Sequence, residues 1–479
     1  MSMIHLLRQG RDLVEKSSLP LLGIGRVLSS LAIAGAIFVT GLPQPPAEDG
    51  TPRGPNAVQR WNDTAREAAL AACLAPDADP LHESRMYAME SIAVHDALNA
   101  IDRRYRSYSL AGGHWANASI DSTVASAART VLVWVIGDLP DTFALCRPEG
   151  LRVVEDAYAS ALKAVPDGPA EDRGVAVGAA AGNAVIATRI DDGSNTPLRV
   201  ADYPQGTKPG EWRFTPDRPF AFAPGWGEVT PFGLRGRAAL LEASPYRLTG
   251  TAYARDLAEI EAFGGDAMST ASARTPDQTE AAQFWTESSP LKWNRIAREL
   301  AVARGLDSWS SARLFALLNI ALADGYIASW LVKYRDRFWR PVTAIHGAET
   351  DGNPATTADP TWTPLDTTPP IPGPESADSV QGAAAATILA NVFDTDRVTF
   401  TACSLSLPDG QQCDDPAPTQ RRFTGFWQAA QENANAGVWM GSYFRHTAEV
   451  GLTQGKQLAT QVMADLLTPV QGQLVTGAH

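Results

Sequence analysis

From residue 57 onward the chain alternates long stretches of helical periodicity, rich in alanine and other small residues, with two long intervals that carry no periodicity. This alternation is the feature that most restricts its fold. Helices are expected over Trp61 to Cys73, Met86 to Ile101, Thr123 to Ile136 and Val175 to Ile190, and helical pattern resumes across 253–304. Ser308 or Ser310 is placed to cap a further helix that runs through Leu314, Leu317, Ala321 and Ala328 to about Lys333. Others are expected near 378–393, 420–436 and 446–467, the last with Leu458, Val462 and Leu466 on one stripe. The small side chains imply close helix packing. The aperiodic intervals, 192–235 (Pro, Gly and Trp) and 351–375 (Pro and Thr), read as long surface loops. Loops of that length are often functional. Strands are expected to be few, no internal repeat is visible, and the fold class is all-α.

A chain of 479 residues with 44% hydrophobic content can bury a large core. Its formal charge of -13 repels phosphate backbones and anionic membrane surfaces, so nucleic acid is excluded as a partner class and a small molecule is favoured. A buried Lys/Arg cluster acts locally and is untouched by that sum. Arg8, Arg11, Lys16 and Arg26 precede the apolar run from Val27 to Thr40, which breaks at Gly41-Leu42-Pro43. The order is that of an export signal or, if uncleaved, an N-terminal membrane anchor spanning residues 1–42. The Pro-rich, acidic stretch 43–56 reads as a linker. Four cysteines, Cys73, Cys146, Cys403 and Cys413, lack Cys-x-x-Cys spacing. In an exported chain they suit disulfides, with Cys403–Cys413 favoured because Pro408-Asp409-Gly410 forms a turn between them. Four buried thiols are the alternative.

The segment richest in chemistry runs from Lys333 through Arg340-Pro341 to Ile345. Lys333 sits near a helix end, and Pro341 forces Arg340 toward an extended backbone, so two cations can converge from a helix end and the following turn. Arginine offers an oxyanion a planar fork and lysine adds a point charge.

Lys333, Arg340 and Pro341 fit K-x6-R-P, and on that basis the chain resembles the vanadium-haloperoxidase and type-2 phosphatidic-acid-phosphatase superfamily. Val94 to Ile101, Phe284-Trp285, Trp293 to Ala297 and Thr350 to Thr356 look like bacterial haloperoxidase-type members, collinear over about 57–470. The resemblance implies two helix bundles, about 57–305 and about 306–470, with an anion pocket at the end of the second.

The family's second signature, P-S-G-H or P-S-A-H, aligns with Glu375-Ser376-Ala377-Asp378, so an aspartate stands where the acid–base histidine is expected. Its third, S-R-x6-H, aligns with Ala436-Gly437 and Tyr443, which removes the second arginine and the histidine that binds vanadate or becomes phosphorylated. Of the seven histidines (5, 82, 95, 114, 346, 446 and 479) none occupies either position. His446 and His346 are expected at the rim, and His95 in the core. The resemblance thus implies Lys333, Arg340, Ser376 and Ala377 as a remnant oxyanion site, with Lys333, Arg340, Ser376, Asp378 and Tyr443 as candidate catalytic residues. Vanadate, the parent family's cofactor, is not expected to bind well, because losing the arginine removes a charge-assisted contact of about 1.5–3 kcal/mol. Three readings stay open: vanadium-independent acid–base chemistry on a small organic substrate, an inactive binding or scaffold protein, and an atypical haloperoxidase or phosphatase.

Overall fold

The structure is a computed structural model that describes residues 54–470, apart from 77, 111, 114, 217, 236–245, 408–412 and 414–418. The basic and apolar N-terminal segment, the first part of the linker at 43–53, and His5, His114 and His479 lie outside the described residues.

Thirteen α-helices are present among the described residues: α1 (Ala57–Ala71), α2 (Pro80–Ile101), α3 (Ile120–Gly137), α4 (Arg147–Lys163), α5 (Pro169–Ala187), α6 (Thr251–Phe263), α7 (Pro276–Phe284), α8 (Ser289–Ala303), α9 (Ser308–Asp336), α10 (Pro341–His346), α11 (Ala377–Val392), α12 (Phe426–Trp439) and α13 (Arg445–Asp465). Two small antiparallel pairs accompany them, β1 (Arg199–Val200) with β2 (Ala221–Phe222) and β3 (Phe400–Cys403) with β4 (Gln420–Phe423). The expectation of a mainly helical chain holds.

The helices expected from periodicity are present, but those expected to start at Trp61, Met86 and Val175 begin earlier, at Ala57, Pro80 and Pro169, and other differences have local causes. Asp307, not Ser308 or Ser310, caps α9, its carboxylate accepting from the Ser310 N–H at 2.7 Å. The stretch 253–304 breaks into three helices, two of which begin on prolines, Pro276 and Pro290, at their first turns. The helix expected from 420 begins only at Phe426, because 420–423 pairs with 400–403 as a strand. Helix α4 was not expected at all. Its exposed polar faces bury only Gly150 and Val154 fully, so it carries a weak apolar stripe.

The long helix α9 is the axis of the molecule: it packs on α2 on one side and on α11 and α13 on the other. Its apolar composition would suit a membrane span, as would that of α3, but 94% of the relevant window of α9 is buried inside the protein. Around it one continuous apolar core extends from Ala57 to Leu467. A second, smaller cluster of Tyr253, Leu257, Trp339, Trp362, Val438 and Phe444 lies beside it. Close approach of α13 to α11 depends on Gly455, where a Cβ would come within 2.1 Å of the Val380 carbonyl oxygen. Disulfides join Cys403 to Cys413, as favoured from their spacing, and Cys73 to Cys146.

Candidate active site

Lys333 lies one turn before the end of α9, which stops because Arg337 turns left-handed at φ 45° and its N–H closes on the Lys333 carbonyl at 2.8 Å. Three residues on, Arg340 has the extended backbone expected before proline, φ -88° and ψ 158°, and α10 starts at Pro341. The aperiodic intervals fix this turn. Trp212 N–H donates to the Arg337 carbonyl at 2.7 Å, Trp339 N–H to Gly210 at 2.9 Å, and Phe338 and Gly373 exchange bonds of 3.1 and 2.9 Å. Both long loops therefore help to build the site.

Lys333 and Arg340 are both fully buried. They converge on Tyr443, whose ring centroid is 5.2 Å from Lys333 Nζ and 4.3 Å from Arg340 Cζ. Their roles differ more than the sequence implied. The Lys333 ammonium donates to three carbonyl oxygens, those of Pro372 and Pro374 at 3.4 Å each and that of Glu375 in a short bond. It staples the loop that leads into α11. Arg340 Nε, Nη1 and Nη2 have no hydrogen-bond partner among the described residues. A buried guanidinium with five uncommitted N–H donors needs an acceptor.

Ser376 caps α11, its hydroxyl accepting from Ser379 N–H at 3.2 Å, so that oxygen is already engaged. Ala377 is buried behind it. Asp378 is half-buried in the first turn of α11. Burial pushes its carboxyl above the usual carboxylate range, against the pull of Lys333, Lys292 and Arg340. The Tyr443 phenol is likewise raised by burial, with Arg340 opposing, so it stays protonated across the physiological range. Burial, reinforced by Arg340, lowers the Lys333 ammonium. The structure thus brings together all six expected residues, Lys333, Arg340, Ser376, Ala377, Asp378 and Tyr443.

Tyr443 lies in the turn between α12, which ends at Trp439, and α13, which begins at Arg445. His446 gives its backbone N–H to Asp256 Oδ2 at 2.9 Å and sets its ring 4.9 Å from that of Tyr246. His346 is held by the Trp362 carbonyl at 2.8 Å, and His95 sits in the core on Asp96 at 3.0 Å.

Other residues went unnoticed in the sequence. Glu375, read only as a missing proline, is buried at φ 42°, and burial raises its pKa against the attraction of Lys333 and the Ser329 hydroxyl. Lys292 in α8 is buried, donates to the Phe284 carbonyl and lies over the rings of Phe284 and Trp285, 4.6 Å from each. Burial lowers its pKa to about 7, with Asp378 among the charges that oppose this. Its signal was legible as a lysine flanked by Leu291 and Trp293 on an apolar helix face. Tyr326 of α9, also buried, interacts electrostatically with both Asp378 and Tyr443.

With this geometry in place, similarity to known proteins is informative. Residues 313–472 match the family model described as the VCPO second helical-bundle domain. A bacterial vanadium-dependent iodoperoxidase structure superposes with a TM-score of 0.66 at 22% identity, covering 87% of this chain and 99% of that one. The chain has the vanadium-haloperoxidase fold. A holo-type bacterial vanadium-dependent chloroperoxidase agrees, with a TM-score of 0.63 at 16% identity over 86% of this chain and 97% of that one. The vanadium chloroperoxidase of Curvularia inaequalis is 25% identical over a stretch that covers 39% of this chain and 39% of its own length. The site described above, from Lys333 to Tyr443, falls within the residues that match the second-bundle family. It therefore occupies the family's C-terminal half of the vanadium-haloperoxidase fold.

Proposed function

We propose that this chain is an exported enzyme that uses the vanadium-haloperoxidase fold without vanadate, performing acid–base chemistry on a small organic substrate. The observation that carries the reading is the buried Arg340 guanidinium, which meets no acceptor of good hydrogen-bond geometry among the described residues and acts electrostatically on the raised carboxyl of Asp378. An oxygen of a carbonyl or carboxylate held by Arg340 gains charge as a proton leaves the adjacent carbon, and a preorganised cation stabilises that charge. The proton passes to the Asp378 carboxylate, whose basicity burial raises. Lys333 adds positive potential from behind the loop it staples, and protonated Tyr443 closes the pocket. The two disulfides support an oxidising, exported location.

The residues present do not suit vanadate. Tyr443 stands where the resemblance leads one to expect the vanadate-binding histidine, and its ring lies over Arg340, so a phenol would replace the imidazole that should hold the group. Gly437 supplies no second guanidinium.

Hydrogen–deuterium exchange into a panel of enolisable ketones and keto acids tests the reading. Exchange catalysed by the intact chain should fall about 100-fold or more in Asp378→Asn, and Arg340→Gln should lower it by about 100-fold. The alternative of an inactive binding homologue is favoured by the same Tyr443 ring, which covers the cation a substrate would need. Exchange with no member of the panel, in a chain that still binds carboxylates through Arg340, would establish that alternative.

A further inference from the structure

A cavity of about 380 Å³ opens far along the chain from the Lys333–Tyr443 site, between the start of α2, the end of α3 and the loop 194–199. None of its lining residues belongs to α9, α11 or the 440–444 turn. Its volume falls within the range of small-molecule sites.

Two buried side chains supply directed polar groups. His82 lines the cavity and is 5% exposed. Its Nδ1 lies 2.6 Å from Asp79 Oδ2, and Asp79 Oδ1 caps α2 by accepting from the N–H groups of Leu81 and His82. A carboxylate only accepts, so Nδ1 carries the proton and Nε2 is the nitrogen left over. The ring is held edge-on to Trp226 with centroids 4.8 Å apart, which fixes its orientation. Arg85, 3% exposed, commits Nε to Asp192 Oδ2 at 2.8 Å and Nη2 to the Arg189 carbonyl at 3.0 Å. Neither His82 Nε2 nor Arg85 Nη1 has a hydrogen-bond partner among the described residues. Exposed Arg199 and the side chains of Ser194 and Thr196 complete the polar side, while Val135 and Leu198 give an apolar wall. Asp138, exposed at the edge, is the carboxylate that lines it.

We infer that this cavity is a second ligand site, one that takes a small organic carboxylate with an apolar body. The carboxylate accepts from Arg85 Nη1 and from Arg199, the two guanidinium groups that line the cavity. The apolar body rests on Val135 and Leu198. Arg85 retains strength as a donor although Asp192 balances its charge, because its guanidinium is already oriented and buried.

Calorimetric titration of the full chain with benzoate, and with benzamide as the uncharged counterpart, tests this. Benzoate should bind with a sub-millimolar Kd and benzamide at least about 10-fold more weakly. Arg199→Gln, at an exposed position, should weaken benzoate about 10-fold while benzamide is unchanged. Arg340→Gln, which alters the other site, should leave this binding intact. A benzoate affinity that falls in Arg340→Gln but not in Arg199→Gln would overturn the proposal. So would equal affinities for benzoate and benzamide, or no benzoate binding up to about 10 mM.

Discussion

Gly437 and Tyr443 differ from the family pattern as a pair, and the structure gives the reason. A Cβ on residue 437 would sit 2.8 Å from Tyr443 Cδ2, and the Gly437 carbonyl accepts both the Ser442 and the Tyr443 N–H at 3.0 Å. The space that an arginine side chain would fill is occupied by the Tyr443 ring, which in turn covers Arg340. The identities at 437 and 443 are therefore coupled through one contact. Gly437→Ala should lower unfolding free energy by about 1–3 kcal/mol, read in denaturant melts, and that increment should largely vanish when the same substitution is made in a Tyr443→Ala background. Single-residue identities at 378, 437 and 443 were legible from motif alignment. The Lys333 staple to three carbonyls was not, because it depends on the path of the 372–375 loop, which has no periodic signal.

At the scale of elements, α2 shows how costly some of these buried groups are. Glu83 and Glu90 lie on this helix, and burial pushes each carboxyl up to about 8. Glu83 is eased only by Ser288, 2.6 Å away, and Glu90 by Ser91 at 3.1 Å. The folded chain holds these protons more tightly than the unfolded chain, where the carboxyls titrate near 4.5. The contribution of these two groups is therefore fully present at low pH and is lost as pH rises through the window between those values. Each group should remove about 2 kcal/mol between about pH 5 and pH 7. Above about 7 the lowered pKa of Lys292 acts in the opposite sense. Unfolding free energies of Glu90→Gln should show a shallower decline over that window than those of the unaltered chain, and an unchanged slope would show that Glu90 is not held protonated. Helix positions were legible here to within a few residues, because the apolar periodicity of α2, α3 and α9 is long and regular. Helix α4 and the strand at 420–423 were missed for the opposite reason, a weak stripe in one and only four residues in the other.

For the whole molecule, the two disulfides divide the work unequally. Cys73–Cys146 closes 73 residues and ties the end of α1 to the start of α4, whereas Cys403–Cys413 closes 10. Replacing the first pair with serine should cost about 4 kcal/mol of unfolding free energy and the second about 2.5 kcal/mol, measured in denaturant. The helical architecture was legible because long apolar stretches and a collinear set of family segments agree. The chemistry was less so, since it rests on which groups are desolvated together, and Glu375, Lys292 and Tyr326 enter the site from three separate elements. The central claim is the proposal that the Lys333–Tyr443 site works on an organic substrate without vanadate. Calorimetric titration with orthovanadate, paired with bromide and iodide oxidation by hydrogen peroxide, tests it most directly. The account predicts no binding at micromolar vanadate and no halide oxidation above background, whereas micromolar binding with vanadate-dependent turnover would contradict it.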